Sequence, residues 1–506
     1  MLQDNLLRQV FTASDQTAKK IGRLVCSSWH RMVGLTVTSF KTKTSDHFNQ
    51  VGAIKAGKPL VPHIISPQRL LHLFPNVQLL DLRKGIQTEQ LLASNILAGL
   101  TAVTKLSLKL EPSQLQPALA ALHTLSADLS LEIVSRPAPG RALFQLTAAD
   151  LPTKLVELQL SDASICLQSM HLADTLTTLT GLQLSRSSLG CTCCRPYAPL
   201  LASCSNLAAL SLNDAASPAV TEEASRFSQL SALTQLTALT YRGSHPTALC
   251  MIRAVGPTLS KLSLHLEDAA AITGILSHVI DAISHMEKLT FLHLDGLMGT
   301  WDLPVLSFLP HLETLDIKIA ISDDDAMSGA SGRLRALCFS SKLKTVAVDF
   351  TCTNKTCVAL FTCQLFAHAL QLQSASFSSE KVTRFVTPSQ QPSYTVTDLK
   401  LLHCICLDDK GLLDTTQCFP ALTDLAVGSA CVTAAGLSTI TKLTRLQNLD
   451  MEGCSFIKAA AVKDLIANMH HLSVLRLAPH VAKDLYKHKQ RFRKDLLLDD
   501  RVCRQM

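Results

Sequence analysis

Along most of the chain, apolar and polar positions recur in one short phrase, apolar-x-x-apolar-x-apolar. It reads VTKLSL from Val103, LVELQL from Leu155, LTGLQL from Leu179, LAALSL from Leu207, LSKLSL from Leu259, LTFLHL from Leu289 and LETLDI from Leu312. It continues as LKTVAV from Leu343, LTDLAV from Leu422, LQNLDM from Leu446 and LSVLRL from Leu472. Weaker copies begin at Val77, Ser126, Leu236, Leu372 and Val396, which makes 16 copies with a mean period near 26 residues. The last two apolar positions of each copy are two apart, as on one face of a strand. Leu106 and Leu108 are therefore expected to point inward, with Lys105, Ser107 and Lys109 outward. A strand this short cannot bury its apolar face alone, so the copies must stack into a parallel sheet, each followed by a crossover segment. The crossover LDDKGLLDTTQC (407–418) opens on acids that suit a helix N-terminus, as does SDDDAM (322–327).

The pattern resembles the leucine-rich repeat. It implies an α/β solenoid, a horseshoe with the parallel sheet inside and helices outside, over residues 76–478 in about 16 repeats. The last repeats are similar to the cysteine-containing subclass, with LxxLxLxxC at Val396–Cys404 and Leu446–Cys454. LDDKGL (407–412), VTAAGL (432–437) and IKAAAV (457–462) stand where that subclass carries its ITDxGL phrase. Earlier repeats depart from it, with lengths of 23 to 31 and Ser, Ala or Asp at the ladder position.

Ahead of the repeats the period changes to a helical one. Leu2, Leu6, Leu7, Val10 and Phe11 form one stripe, and Ile21, Leu24, Val25, Met32 and Val33 another, with Trp29 close beside it. Such helices either cap the first repeat or offer an apolar surface to a partner. LxxxLLRQVF followed by LVCSSWHRMV resembles an F-box, and the domain order is that of the F-box and leucine-rich-repeat proteins. Gln3 stands in place of the family's proline, and the segment TASDQTAKKI is short. The resemblance implies that Leu6, Leu7, Val10, Phe11, Leu24, Val25, Cys26 and Trp29 bind a Skp-type adaptor. It further implies a substrate-recognition subunit of an SCF-type cullin ubiquitin ligase, with a protein substrate on the concave face. The alternative is a leucine-rich-repeat scaffold without ubiquitin function. The implied organisation is an F-box-like segment at 1–40, a linker and cap at 41–75, the repeats at 76–478, and a basic cap or tail at 479–506.

Composition agrees with a stack of small layers: 47% of the 506 residues are hydrophobic but only 5% aromatic. The chain shows no apolar run of membrane-spanning length and no secretory leader, so a cytoplasmic protein is expected, with the nucleus also open to it. Seventeen cysteines, an odd number scattered singly, read as reduced thiols rather than a disulfide framework. The net charge of +7 sits at the ends, +6 in residues 1–60 and +4 in 479–506, which leaves a near-neutral body. A nucleic-acid surface would spread Lys and Arg over one working face, so neither nucleic acid nor membrane is expected as a partner.

Three motifs of enzyme or metal chemistry fall short. GAIKAGKP (52–59) puts Pro59 where a phosphate loop needs Ser or Thr. Cys191 and Cys194 form a CxxC without a second pair to complete a zinc site, and the looser set of Cys352, Cys357, Cys363 and His368 has no ligand spacing. No GxSxG or HExxH occurs. The expectation is no catalytic residue, no metal site and no cofactor.

Binding residues are expected on the outward positions of the strands. One row reads Arg242, His265, Asp295, Lys318 and Asp349, with His293 and Asp316 beside it, a mixed-charge patch. A second group, Asp398, Asp424, Asp450 and Glu452, is acidic apart from Lys400 and would favour a basic ligand.

Overall fold

The computed structural model describes residues 39–41, 79–81, short stretches between 104 and 213, and then 230–266, 273–298, 303–319, 334–351, 355–379, 392–428, 431–486 and 497–499. The adaptor-binding candidates Leu6 to Trp29, the segment GAIKAGKP, the CxxC at Cys191 and the stretch SDDDAM all lie outside the described residues. Two compact units divide the chain, residues 1–213 and 214–506.

In the first unit the strands are β1 (Ser39–Lys41), β2 (Leu79–Asp81), β3 (Lys105–Leu110), β4 (Asp128–Val134), β6 (Leu155–Ser161), β8 (Gly181–Leu184) and β9 (Ala209–Asn213). Each pairs in parallel with the next in that order. A separate two-stranded pair, β5 (Phe144–Leu146) with β7 (Ile165–Leu167), flanks β6 in sequence. β1 crosses the expected boundary between helical segment and linker, adding a strand that the phrase does not announce.

The second unit runs β10 (Ala238–Gly243), β11 (Lys261–Leu266), β12 (Phe291–Met298), β13 (Thr314–Ile319) and β14 (Thr345–Phe350). It continues with β15 (Ser374–Ser378), β16 (Asp398–Leu402), β17 (Asp424–Val427), β18 (Asn448–Met451), β19 (Val474–Leu477) and β20 (Leu497–Asp499). Every neighbour in this series pairs in parallel. All 16 copies of the phrase thus carry a strand, and the architecture is an α/β leucine-rich-repeat solenoid. The crossovers hold helices α1 (His245–Val255), α2 (Thr273–Ser284), α3 (Lys355–His368), α4 (Asp409–Cys418), α5 (Ala434–Ile440), α6 (Ala459–Asn468) and α7 (Pro479–Tyr486) among the described residues. Among the described residues of the tail, α7 spans Pro479–Tyr486 and β20, Leu497–Asp499, pairs with β19.

The core lies between the sheet's inner face and the helices. Strand burial alternates, as in β13 and β14, where Leu315, Ile317 and Ile319 and then Val346, Val348 and Phe350 are buried while the residues between them face solvent in part. Aromatic rings fill the wider layers: Phe361 of α3 meets Phe339 and Phe350 edge-on, at centroid distances of 5.3 and 5.4 Å. Parallel strands exchange slanted hydrogen bonds, and at their entry points one carbonyl can take two backbone N–H groups, as Ser260 O does from Thr290 N and Phe291 N. Hydroxyls at the second position of the phrase add a further donor there. Thr180, Ser260, Thr290, Thr397, Thr423 and Ser473 each donate to a backbone carbonyl one repeat earlier, as Thr290 Oγ1 does to Ser260 O at 3.0 Å. At the strand exits of the last repeats thiols take this part, Cys404 Sγ donating to Phe377 O at 3.8 Å and Cys454 Sγ to Val427 O at 3.1 Å. Burial pushes the Cys404 thiol up to about 12.

The acids of the 407–418 segment act as foreseen. Asp408 caps α4, accepting from Gly411 N at 2.7 Å. Thr433 caps α5, its hydroxyl accepting from Ala435 N at 3.3 Å.

Candidate functional site

On β10 to β14 the sheet's solvent-facing side carries a mixed-charge row. Register sets Arg242 beside His265, and Lys318 beside Asp349. Between them β12 is irregular: Leu294 pairs with Ile317, but the next pair is Leu297 with Lys318, so Asp295 and Gly296 form a bulge. A bulge re-aims the side chain it carries. Here Asp295 reaches both neighbouring strands, accepting from His265 Nδ1 on β11 at 3.0 Å and holding an ion pair with Lys318 on β13. Those two hydrogen bonds, Lys318 first and His265 second, bring the Asp295 carboxyl down to about 2. The same bond raises the Lys318 ammonium above its usual range.

One row over, His293 stands opposite Asp316, and its Nδ1 lies 2.7 Å from the Asp316 carboxylate. With Nδ1–H donating, the other ring nitrogen carries the lone pair. That Nε2 is buried without a hydrogen-bond partner. The His265 and His293 rings pack at 4.7 Å, tilted by 51°. His265, His293, Asp295, Asp316 and Lys318 therefore form one interlocked constellation over three strands, with Arg242 and Asp349 in the flanking strands of its row.

The acidic group is arranged differently. Asp398 and Asp424 share one row, but Asp450 lies in another, paired with Arg476 at 3.5 Å, and Glu452 follows β18 with its N–H donating to Asp450 at 3.0 Å. Each aspartate has a partner within the solenoid: Asp398 takes Ser374 at 2.8 Å and Lys400 at 3.4 Å, and Asp424 takes Thr423 at 2.7 Å and Asn448. Much of the acidic charge is thus spent internally. Arg476 and Asn448 are site residues that the sequence reading does not name, although both sit at outward positions of the phrase, Arg476 between its last two core residues and Asn448 just before them. Among the described residues, no helix is long and apolar enough to cross a membrane.

Matches among solved structures include the following two. A chain in the crystal structure of the Rad7 and Elc1 complex in yeast matches with a TM-score of 0.41 and 12% identity, over 78% of this chain and 90% of that one. A chain in the crystal structure of the TLR13–ssRNA13 complex matches with a TM-score of 0.41 and 16% identity, over 76% of this chain and 54% of that one. No family model matches the sequence, and no curated protein matches it.

Proposed function

We propose that the chain is a protein-recognition subunit that works without covalent chemistry of its own, and more finely the substrate-recognition subunit of an SCF-type cullin ubiquitin ligase. The observation that carries the coarser reading is the mixed-charge constellation on the open sheet face. Five polar side chains of both signs hold one another in place, a pattern that selects a complementary polypeptide by charge register. The finer reading rests on the F-box-like phrases of residues 2–33 placed ahead of the repeats. Leu6, Leu7, Val10, Phe11, Leu24, Val25, Cys26 and Trp29 would dock the Skp-type adaptor, and the face of β10 to β14 would hold the protein substrate.

The test is binding of the full chain to a purified Skp-type adaptor, alongside a Leu7→Ala/Trp29→Ala double variant. Truncating two apolar anchors at an interface hot spot costs about 2 kcal/mol or more, roughly a thirtyfold loss of affinity. Adaptor binding that the double variant loses, with the helical signal of the repeats unchanged, supports the ligase reading. Absence of binding by the unaltered chain removes it and leaves a leucine-rich-repeat scaffold.

A further inference from the structure

We propose that His265, His293 and Asp295 form a binding site for a divalent transition ion of the zinc class. One donor atom from each of the three residues lies within 4.8 Å of the other two. Three atoms so placed all lie within about 2.8 Å of a common point, against metal–ligand bonds of ~2.0–2.1 Å for zinc. Side-chain rotations of less than an ångström at the donor atoms, on the order of ordinary rotamer adjustment, close that gap.

Sheet geometry explains why the donors converge. His293 and Asp295 are two apart on β12 and so project to the same face, and His265 faces Asp295 from β11. The bulge after Leu294 turns Asp295 toward that neighbour. The chemistry of the set then selects the ion. Two imidazoles and one carboxylate suit zinc and its neighbours, whereas magnesium and calcium favour all-oxygen cages.

Two details go beyond proximity. His293 commits Nδ1 to the Asp316 carboxylate at 2.7 Å, the arrangement by which a carboxylate orients a metal-binding histidine and makes it more basic. The nitrogen left over, Nε2, is the buried atom without a hydrogen-bond partner. A metal would answer that vacancy of bonding where no protein group does. Charge also favours a cation. Lys318 stands within electrostatic reach of three carboxylates, those of Asp295, Asp316 and Asp349, while the histidines must be neutral to ligate. Lys318 works against the ion, because its ammonium already holds Asp295. Binding also gives up the 3.0 Å hydrogen bond between His265 and Asp295. Three protein ligands leave a further coordination position for water or for a group on a bound partner.

The experiment is a titration of the full chain, freed of metal by chelator and kept reduced, with zinc chloride in competition with a chromophoric zinc indicator. Cobalt(II) serves as the spectroscopic probe and magnesium chloride as the oxygen-ligand control. The unaltered chain is expected to bind one equivalent of zinc that His293→Gln, His265→Gln and Asp295→Asn each lose, with circular dichroism unchanged. Cobalt at this equivalent should give visible bands of a nitrogen and oxygen site without thiolate charge transfer. Asp316→Asn should weaken it roughly tenfold or more, and Lys318→Met should tighten it severalfold. The last variant keeps the proposal testable if the histidine variants fail to fold. The proposal is overturned if zinc is not bound, if the variants retain the full stoichiometry, if cobalt shows only thiolate charge transfer, or if magnesium binds equally well.

Discussion

Asp409 accepts two hydrogen bonds from Thr433, one repeat further on: the backbone N–H at 2.7 Å and the hydroxyl at 2.6 Å. The Thr433 hydroxyl in turn accepts from Ala435 N, so the first turn of α4 holds the cap that starts α5. In a solenoid each repeat draws its stability from its own fold and from its neighbours. Asp409 is such an inter-repeat contact. Asp409→Ala is expected to cost about 1–2 kcal/mol, two partly exposed charge-assisted bonds being lost. Urea denaturation measures the loss, and hydrogen exchange should speed up first across residues 433–440.

Gly436 gives the complementary prediction. Replacing glycine by alanine inside a helix ordinarily stabilises by about 1 kcal/mol. At Gly436 an added Cβ would run into the Asp409 carboxylate and come within 3.0 Å of Val432 Cγ1. Gly436→Ala is therefore expected to lower the melting temperature. Combining it with Asp409→Ala should cost less than the two single losses together, because the carboxylate that clashes is gone.

Asp295 has its carboxyl depressed from 3.8 to about 2. A carboxyl lowered on folding adds stability that is fully present above its unfolded value and is lost as pH falls through its folded one. Stability contributed here should fade between pH 4 and 2. In Asp295→Asn the decline of melting temperature over that window should be shallower than in the unaltered chain. An identical slope in both proteins would show that the Lys318 and His265 bonds do not hold in solution.

The thiols should separate by burial. Cys404 is fully buried, hydrogen-bonded to Phe377 O and pushed up to about 12, whereas Cys338 is exposed. The thiolate is the reactive species. Brief iodoacetamide treatment of the folded chain followed by peptide mass mapping should find Cys338 modified and Cys404 untouched. In denaturant both should react.

Phe361 tests the core. It is fully buried between Phe339 and Phe350, and Phe361→Ala is expected to destabilise by about 3–5 kcal/mol. The urea midpoint of the second unit would report it.

How much of this was legible in the sequence follows from what a strand repeat encodes. LxxLxL names the buried leucines and hence the strand, which is why Leu262 and Leu264, or Leu449 and Met451, fall where the phrase puts them. It also assigns His265, His293 and Asp316 to the open face. The phrase does not encode a bulge, so the turn of Asp295 toward both His265 and Lys318 had no signal in the spacing. His293 and Asp295 follow His265 by 28 and 30 residues in the chain yet stand beside it in the sheet, a separation that no short spacing motif encodes. Likewise the hydroxyl ladder of Thr290 and Thr423 occupies the second position of the phrase, ahead of the strand, whereas the cysteine-containing subclass puts its ladder residue after it. β1 and β20 carry too few apolar residues to show a period, and only neighbours already in place make them strands.

β20 has a consequence for how many copies of the molecule can share a solution. A parallel stack has no internal rule that ends it, and an open row of amides and carbonyls is a template for another chain to continue. Here the last strand in the described series is three residues long and finishes on Asp499. A visitor adding itself there would gain few main-chain bonds. So short a strand is a poor template for the solenoid to grow into a fibre.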